Sequence, residues 1–203
     1  CHDVNGVRTA VIWRENEIIP HYTLGDGVNP SEATCGVASG NAAYIGGTQV
    51  TSSGNVGTIW RNSEVLYTMG YNTNICDIAV YNDNVISLGY AYENGDQKLR
   101  VWFNSAILYT LNQSTDGRGS IYIDGGDIYV ASSGESSYDK IWKNGEEIYS
   151  TGGFFYGVAA NSNGVYAAGA TGTNGRVWEN GSIIYSPENS RYLEGIFVTE
   201  PEC

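Results

Sequence analysis

Positive charge is what this sequence has least of. Ten Lys and Arg stand against 22 Asp and Glu, for a formal net charge of −12. Nucleic acids and anionic membranes are held through clustered Lys and Arg, so neither is expected as a partner. Long apolar runs are also missing. No stretch approaches the roughly 18 residues that a membrane helix requires, so no membrane span is expected. There are two histidines, His2 and His21, and neither has a Cys or His partner at metal spacing. The acidic turn Asp124-Gly-Gly-Asp127 lacks the alternating ligands of a calcium loop. No metal or other cofactor is therefore expected. A starting Met and a signal peptide are absent as well. A chain that opens on Cys1 reads as a processed product, with a lipid-modified Cys1 as the other reading.

Turn formers and aromatics are plentiful: 27 Gly, 16 Tyr and 5 Trp, against 4 Pro and few charges. That balance points to an all-β chain with many tight turns. The Trp residues mark a repeat. VIWRENEIIPHY surrounds Trp13, TIWRNSEVLY Trp60, RVWFNSAILY Trp102, KIWKNGEEIY Trp142 and RVWENGSIIY Trp178. Tyr67, Tyr109, Tyr149 and Tyr185 each follow seven residues after the Trp, whereas Tyr22 follows after nine, a two-residue insertion. Each copy reads as a hairpin. Asn144-Gly145 and Asn180-Gly181 are dipeptides preferred by type I′ turns, whose two central residues need positive φ. Because the Trp and Tyr recur at one position beside apolar neighbours, packing between repeats is their expected role.

Between the hairpins lies a second pattern: a short apolar strand, a polar turn and another apolar strand. The first strands are CGVAS, CDIAV, GSIYI, YGVAA and EGIFV. Four strands per unit, at periods of 20–50 residues, indicate propeller blades. The expected fold is all-β: one domain over residues 1–203, a five-bladed β-propeller of four-stranded antiparallel blades. The first strand of each unit, apolar at nearly every position, is placed innermost and buried on both faces. The chain starts before a Trp hairpin and ends after a first strand, so the closing blade is shared by the N- and C-termini.

Repeat alignment brings Cys1 and Cys203 to adjacent positions across this seam. A Cys1–Cys203 disulfide is expected to clasp the ring, worth on the order of 4–5 kcal/mol in the chain-entropy model. The rival reading is that both bond to neighbouring molecules. Cys35 and Cys76 align just before successive first strands, which makes them the second pair. Four cysteines fit an oxidising compartment, hence a secreted, extracellular or cell-surface location.

The segments IWKNG at 141–145, VWENG at 177–181 and GVYAAG at 164–169 resemble a set of uncharacterised exported bacterial proteins with WKNG-type β-propeller repeats. The resemblance spans the chain and implies fold and export rather than an activity. The first three copies depart from it at the turn, with Glu15-Asn16, Asn62-Ser63 and Asn104-Ser105.

The connections from second to third strand, and from unit to unit, vary in length and emerge on one face. They carry Tyr71, Tyr90, Tyr92, Tyr138, Phe154, Phe155 and Tyr192, with Asp26, Glu32, Glu93, Asp96 and Asp139. Variable loops on a rigid scaffold are the usual arrangement of a binding surface. The expected function is a non-enzymatic extracellular propeller that binds a protein or a glycan through this face. The alternatives are a self-assembling structural subunit, and a glycosidase using Asp77 and Glu194. Sequons place glycosylation at Asn112 and Asn180.

Overall fold

The computed structural model describes residues 2–4, 6–13, 22–113, 117–134, 139–188 and 191–199. Cys1, Cys203, His21 and Tyr138 lie outside them. The chain forms two compact units, one of Cys1–Asp96 with Arg100–Leu108, the other of Gln97–Leu99 with Tyr109–Cys203.

Nineteen strands are described, all in consecutive order within five sheets. The first sheet has three: β1 His2–Val4, β2 Val7–Ile12 and β3 Tyr22–Leu24. The second holds β4 Ser31–Ser39, β5 Ala42–Thr51, β6 Gly54–Arg61 and β7 Glu64–Tyr71. The third holds β8 Thr73–Tyr81, β9 Asn84–Glu93, β10 Asp96–Phe103 and β11 Ala106–Leu111. The fourth holds β12 Gly119–Asp124, β13 Asp127–Ser132, β14 Asp139–Lys143 and β15 Glu146–Thr151. The fifth holds β16 Phe154–Asn161, β17 Gly164–Thr171, β18 Asn174–Glu179 and β19 Ser182–Tyr185. Every strand pairing whose register is described is antiparallel.

Within each unit the first strand of one sheet lies against the preceding sheet: β8 on β4–β6, and β16 on β12–β14. The cores form at these stacks. Trp60 packs with Ala10 and Leu24, Trp102 with Ile75, Ile78 and Tyr67, and Trp178 with Phe155, Ile148 and Tyr149. Each Trp reaches toward the sheet before its own. Trp13 departs from the expected pattern. It is 51% exposed, whereas Trp60 is 0% exposed and Trp102, Trp142 and Trp178 are buried.

The Asn of each hairpin does more than turn the chain. Asn62, Asn104, Asn144 and Asn180 have φ of 58°, 56°, 52° and 49°. Their backbone N–H donates to the carbonyls of Ala43, Val85, Ile128 and Val165. Their Oδ1 accepts the N–H of the same four residues, at 2.9–3.0 Å. The side chain thus prolongs the ladder past the turn, which a residue without a short amide cannot do. Gly145 and Gly181 also have positive φ, as type I′ turns require.

Two sequence expectations change. The strands buried in every described four-stranded sheet are the second ones, and first strands are buried in some sheets only. β9, β13 and β17 are buried almost throughout, whereas the first strands differ: β16 is as buried as β17, β8 is half-buried and β4 is mostly exposed. A first strand is the edge of its own sheet, so only packing from the side covers it. The cysteine register also shifts. The register shifts at a bulge on Thr34, between Ala33 and Cys35, and on Cys76, between Ile75 and Asp77. Strand pairing therefore sets Cys35 level with Asp77, and Cys76 level with Thr34. The offset between the strands is thus 42 residues, the interval from Trp60 to Trp102, against 41 between the cysteines.

Candidate functional site

The strand ends at Ser31, Thr51, Tyr71, Thr73 and Glu93 gather the long connections of the first unit on one rim. This rim carries Tyr71, Tyr90 and Tyr92. Tyr90 and Tyr92 meet edge to face, ring centroids 5.8 Å apart. Tyr90 is half-buried, Tyr92 is 51% exposed and Tyr71 is exposed. Burial, followed by the nearby Cys76, Tyr92 and Glu32, holds the Tyr90 phenol above its ordinary pKa. Glu93 is anchored to Arg100 at 2.7 Å. Asp26 accepts from the N–H groups of Val28 and Asn29 and from the Asn29 amide, which ties down the loop before β4. Those bonds, the Asn29 backbone first, lower its pKa.

Polar side chains fix the rim to the sheets. Ser31 accepts the Ala10 N–H and donates to Leu24 O at 2.6 Å. Thr73, at the same repeat position, accepts the Gly57 N–H and donates to Gly70 O at 2.6 Å. In the second unit Gly153 stands at that position, with Trp178 and Ala170 O where a Cβ would go. There the link comes from the other side. Buried Asp139, level with Gly57, accepts from the N–H groups of Phe155 and Gly134 and from Ser133 Oγ.

The aromatic residues of the second unit divide. Phe155 was expected on the binding face but is 0% exposed, packed edge to face on Trp178 at 5.0 Å. Strand β16 begins at Phe154, so Phe155 takes the core position that Ile75 holds in β8. Phe154 is half-buried. Tyr192 is exposed and meets Tyr156 edge to face at 6.1 Å. Arg118 stacks over Tyr156 and donates to its hydroxyl at 3.0 Å. Sequence reasoning missed Arg118 and Tyr156, although Tyr156 shares its bulge position with Thr34 and Cys76.

Cys35 and Cys76 stand as thiols, without the expected disulfide. Burial, then the charge of Asp77, pushes the Cys35 thiol up to about 12. Asp77 accepts the Ile78 N–H at 2.9 Å, within the first unit, and Glu194 is an exposed residue of the second. Among the described residues no group of three His, Cys, Asp or Glu side chains is placed to hold a metal ion, and no helix is long and apolar enough to cross a membrane. Asn112 is exposed, whereas the Asn180 carboxamide is engaged in the ladder.

Consecutive antiparallel sheets, four of them four-stranded, with β8 and β16 each lying on the sheet before it, define a propeller-like all-β repeat fold. Solved structures are similar to the chain at low identity. The computationally designed Ika4 protein matches 78% of this chain and 96% of its own, at 16% identity and a TM-score of 0.50. The WD40 β-propeller domain of Doa1 matches 87% and 74%, at 14% identity and a TM-score of 0.43. BamB from Moraxella catarrhalis matches 84% and 53%, at 14% and 0.49. The chain spans 66% of the computationally designed Ika8 protein and about half of BamB. No protein-family model and no curated protein matches the sequence.

Proposed function

We propose that this protein is a non-enzymatic, exported propeller scaffold that binds a partner protein through the rim of Tyr71, Tyr90 and Tyr92. The observation that carries this reading is the Tyr90–Tyr92 pair. One ring is partly buried and braces the other, which stands 51% exposed on a rigid strand end. Tyr is enriched in the contact cores of protein interfaces, because a braced ring offers large area at small entropic cost. The test is binding to arrayed extracellular proteins, with a glycan array in parallel. Saturable binding to a protein, lost in Tyr92→Ala at unchanged melting temperature, is the expected result. Binding to glycans alone, or to nothing, overturns the reading.

The architecture that goes with it is a closed five-bladed ring. Its support lies in the two end sheets. Trp13 is 51% exposed whereas its four counterparts are buried, and Ile184 and Tyr185 of β19 are exposed where Ile148 and Tyr149 of β15 pack into a core. A ring would bury both sets. Scattering from a compact chain of this length gives a radius of gyration of about 17 Å, and a value above about 20 Å would rule the ring out.

A further inference from the structure

At the opposite strand ends of the first unit the repeat breaks three times in one place. In the second unit the Tyr of one repeat covers the hairpin Gly of the next sheet. A Cβ at Gly145 would lie 2.6 Å from Tyr109, and one at Gly181 would lie 2.9 Å from Tyr149. The first such contact is built differently. Two residues are inserted before Tyr22, and Ser63 replaces the glycine. The third change is at Ala42. Asn104 and Asn144 donate their amides to Asn84 and Asp127. Ala42 holds the matching place in β5 and offers no acceptor to Asn62. The next hairpin shares only one change, Ser105, while Asn104 there keeps its acceptor. The last has Gly164 in place of an acceptor, but Tyr149 closes over Gly181.

At this hairpin lies an open cavity of about 350 Å³ lined by Tyr22, Arg61, Asn62, Ser63 and Glu64. That volume falls within the range of small-molecule sites, roughly 300–1,000 Å³. Arg61 is held over the buried Tyr44 ring, 5.7 Å from its centroid, and pairs across the hairpin with Glu64. The lining combines a donor-only guanidinium with an acceptor-only carboxylate, whose charges cancel. Asn62 and Ser63 add an amide and a hydroxyl, and Tyr22 adds an aromatic face. Hydroxyl groups both donate and accept, so this set suits a neutral polyol with one apolar face.

We propose that this cavity binds a neutral pyranose sugar, at a site separate from the Tyr90–Tyr92 rim. The test is titration of the whole chain with methyl glucoside, methyl galactoside, methyl mannoside and N-acetylglucosamine, followed by amide chemical shifts, with glucuronate and glucosamine as charged controls. Saturable binding of a neutral sugar is expected, weakened about tenfold or more by Arg61→Ala, as for loss of a charged hydrogen bond. Ala42→Asn supplies the missing acceptor for Asn62, at a position buried beside Tyr44 and Ile59. It should weaken binding in the folded protein, with folding checked by the dispersion of the amide spectrum. Tyr92→Ala should leave sugar binding unchanged, which separates this site from the rim. Failure of every neutral sugar to saturate, stronger binding of a charged control, or unaltered affinity in both Arg61→Ala and Ala42→Asn would overturn the proposal.

Discussion

Strands β8 and β16 open two sheets of the same design, yet aromatic side chains near them meet opposite fates. Beside β8, Tyr92 stands half in solvent on a ring that braces it. In β16, Phe155 is sealed against Trp178, and its N–H is held by a buried carboxylate. Chemistry alone does not separate them, since both are aromatics close to a connection. Strand phase does. Phe155 shares the core position of Ile75, whereas Tyr92 lies at the far end of β9, where no sheet covers it.

The largest expected contrast follows from that difference. Phe155→Ala should cost about 3–5 kcal/mol in urea denaturation, as large-to-small changes in a packed core do. Tyr92→Ala should stay within about 0.5 kcal/mol. Equal losses would mean that the rim around Tyr92 is part of a core. The links to the two strands come next. Asp139→Ala leaves three donors without their acceptor and should lower stability by about 1–3 kcal/mol. Thr73→Val leaves the Gly57 N–H of β6 without its acceptor and should cost about 1 kcal/mol. A smaller loss for Asp139→Ala than for Thr73→Val would reverse the ranking of the two links.

A hairpin comparison is smaller again. Asn180→Ala removes a ladder bond and a residue suited to positive φ, for about 1 kcal/mol. After expression through a glycosylating secretory route, mass spectrometry should find sugar on Asn112 and none on Asn180. The smallest effect is chemical. With its thiol held near 12, Cys35 carries on the order of a thousandfold less thiolate at pH 8 than a thiol at its ordinary value of 9.0. Iodoacetamide should label it slowly at pH 8, with the rate still rising above pH 10. A plateau below pH 10 would show that burial does not protect it.

Much of this was legible in the chain. The Trp spacing located the hairpins, and the Asn-Gly pairs located the turns. Tyr71, Tyr90 and Tyr92 stood out as aromatics at uneven connections. The linking residues were also within reach, since Ser31 and Thr73 both lie eight residues before the end of their strands. Phe155 was misplaced because a strand start has no marker of its own when the preceding Gly-Gly reads equally well as loop. The cysteine register differs because CGVAS and CDIAV match each other at 41 residues, whereas the strands align at 42.

The sequence by itself determined the repeat, the strand order and the turns, because these depend on neighbours within one hairpin: alternation, positive φ and a short amide reaching back to the ladder. Tertiary structure decided which aromatics are core and which are surface. It also decided which strand of each sheet is enclosed, where the thiols lie, and that three small departures meet at one cavity. Those outcomes depend on what the adjacent sheet covers, and burial of a side chain is a property of the stack rather than of its own strand.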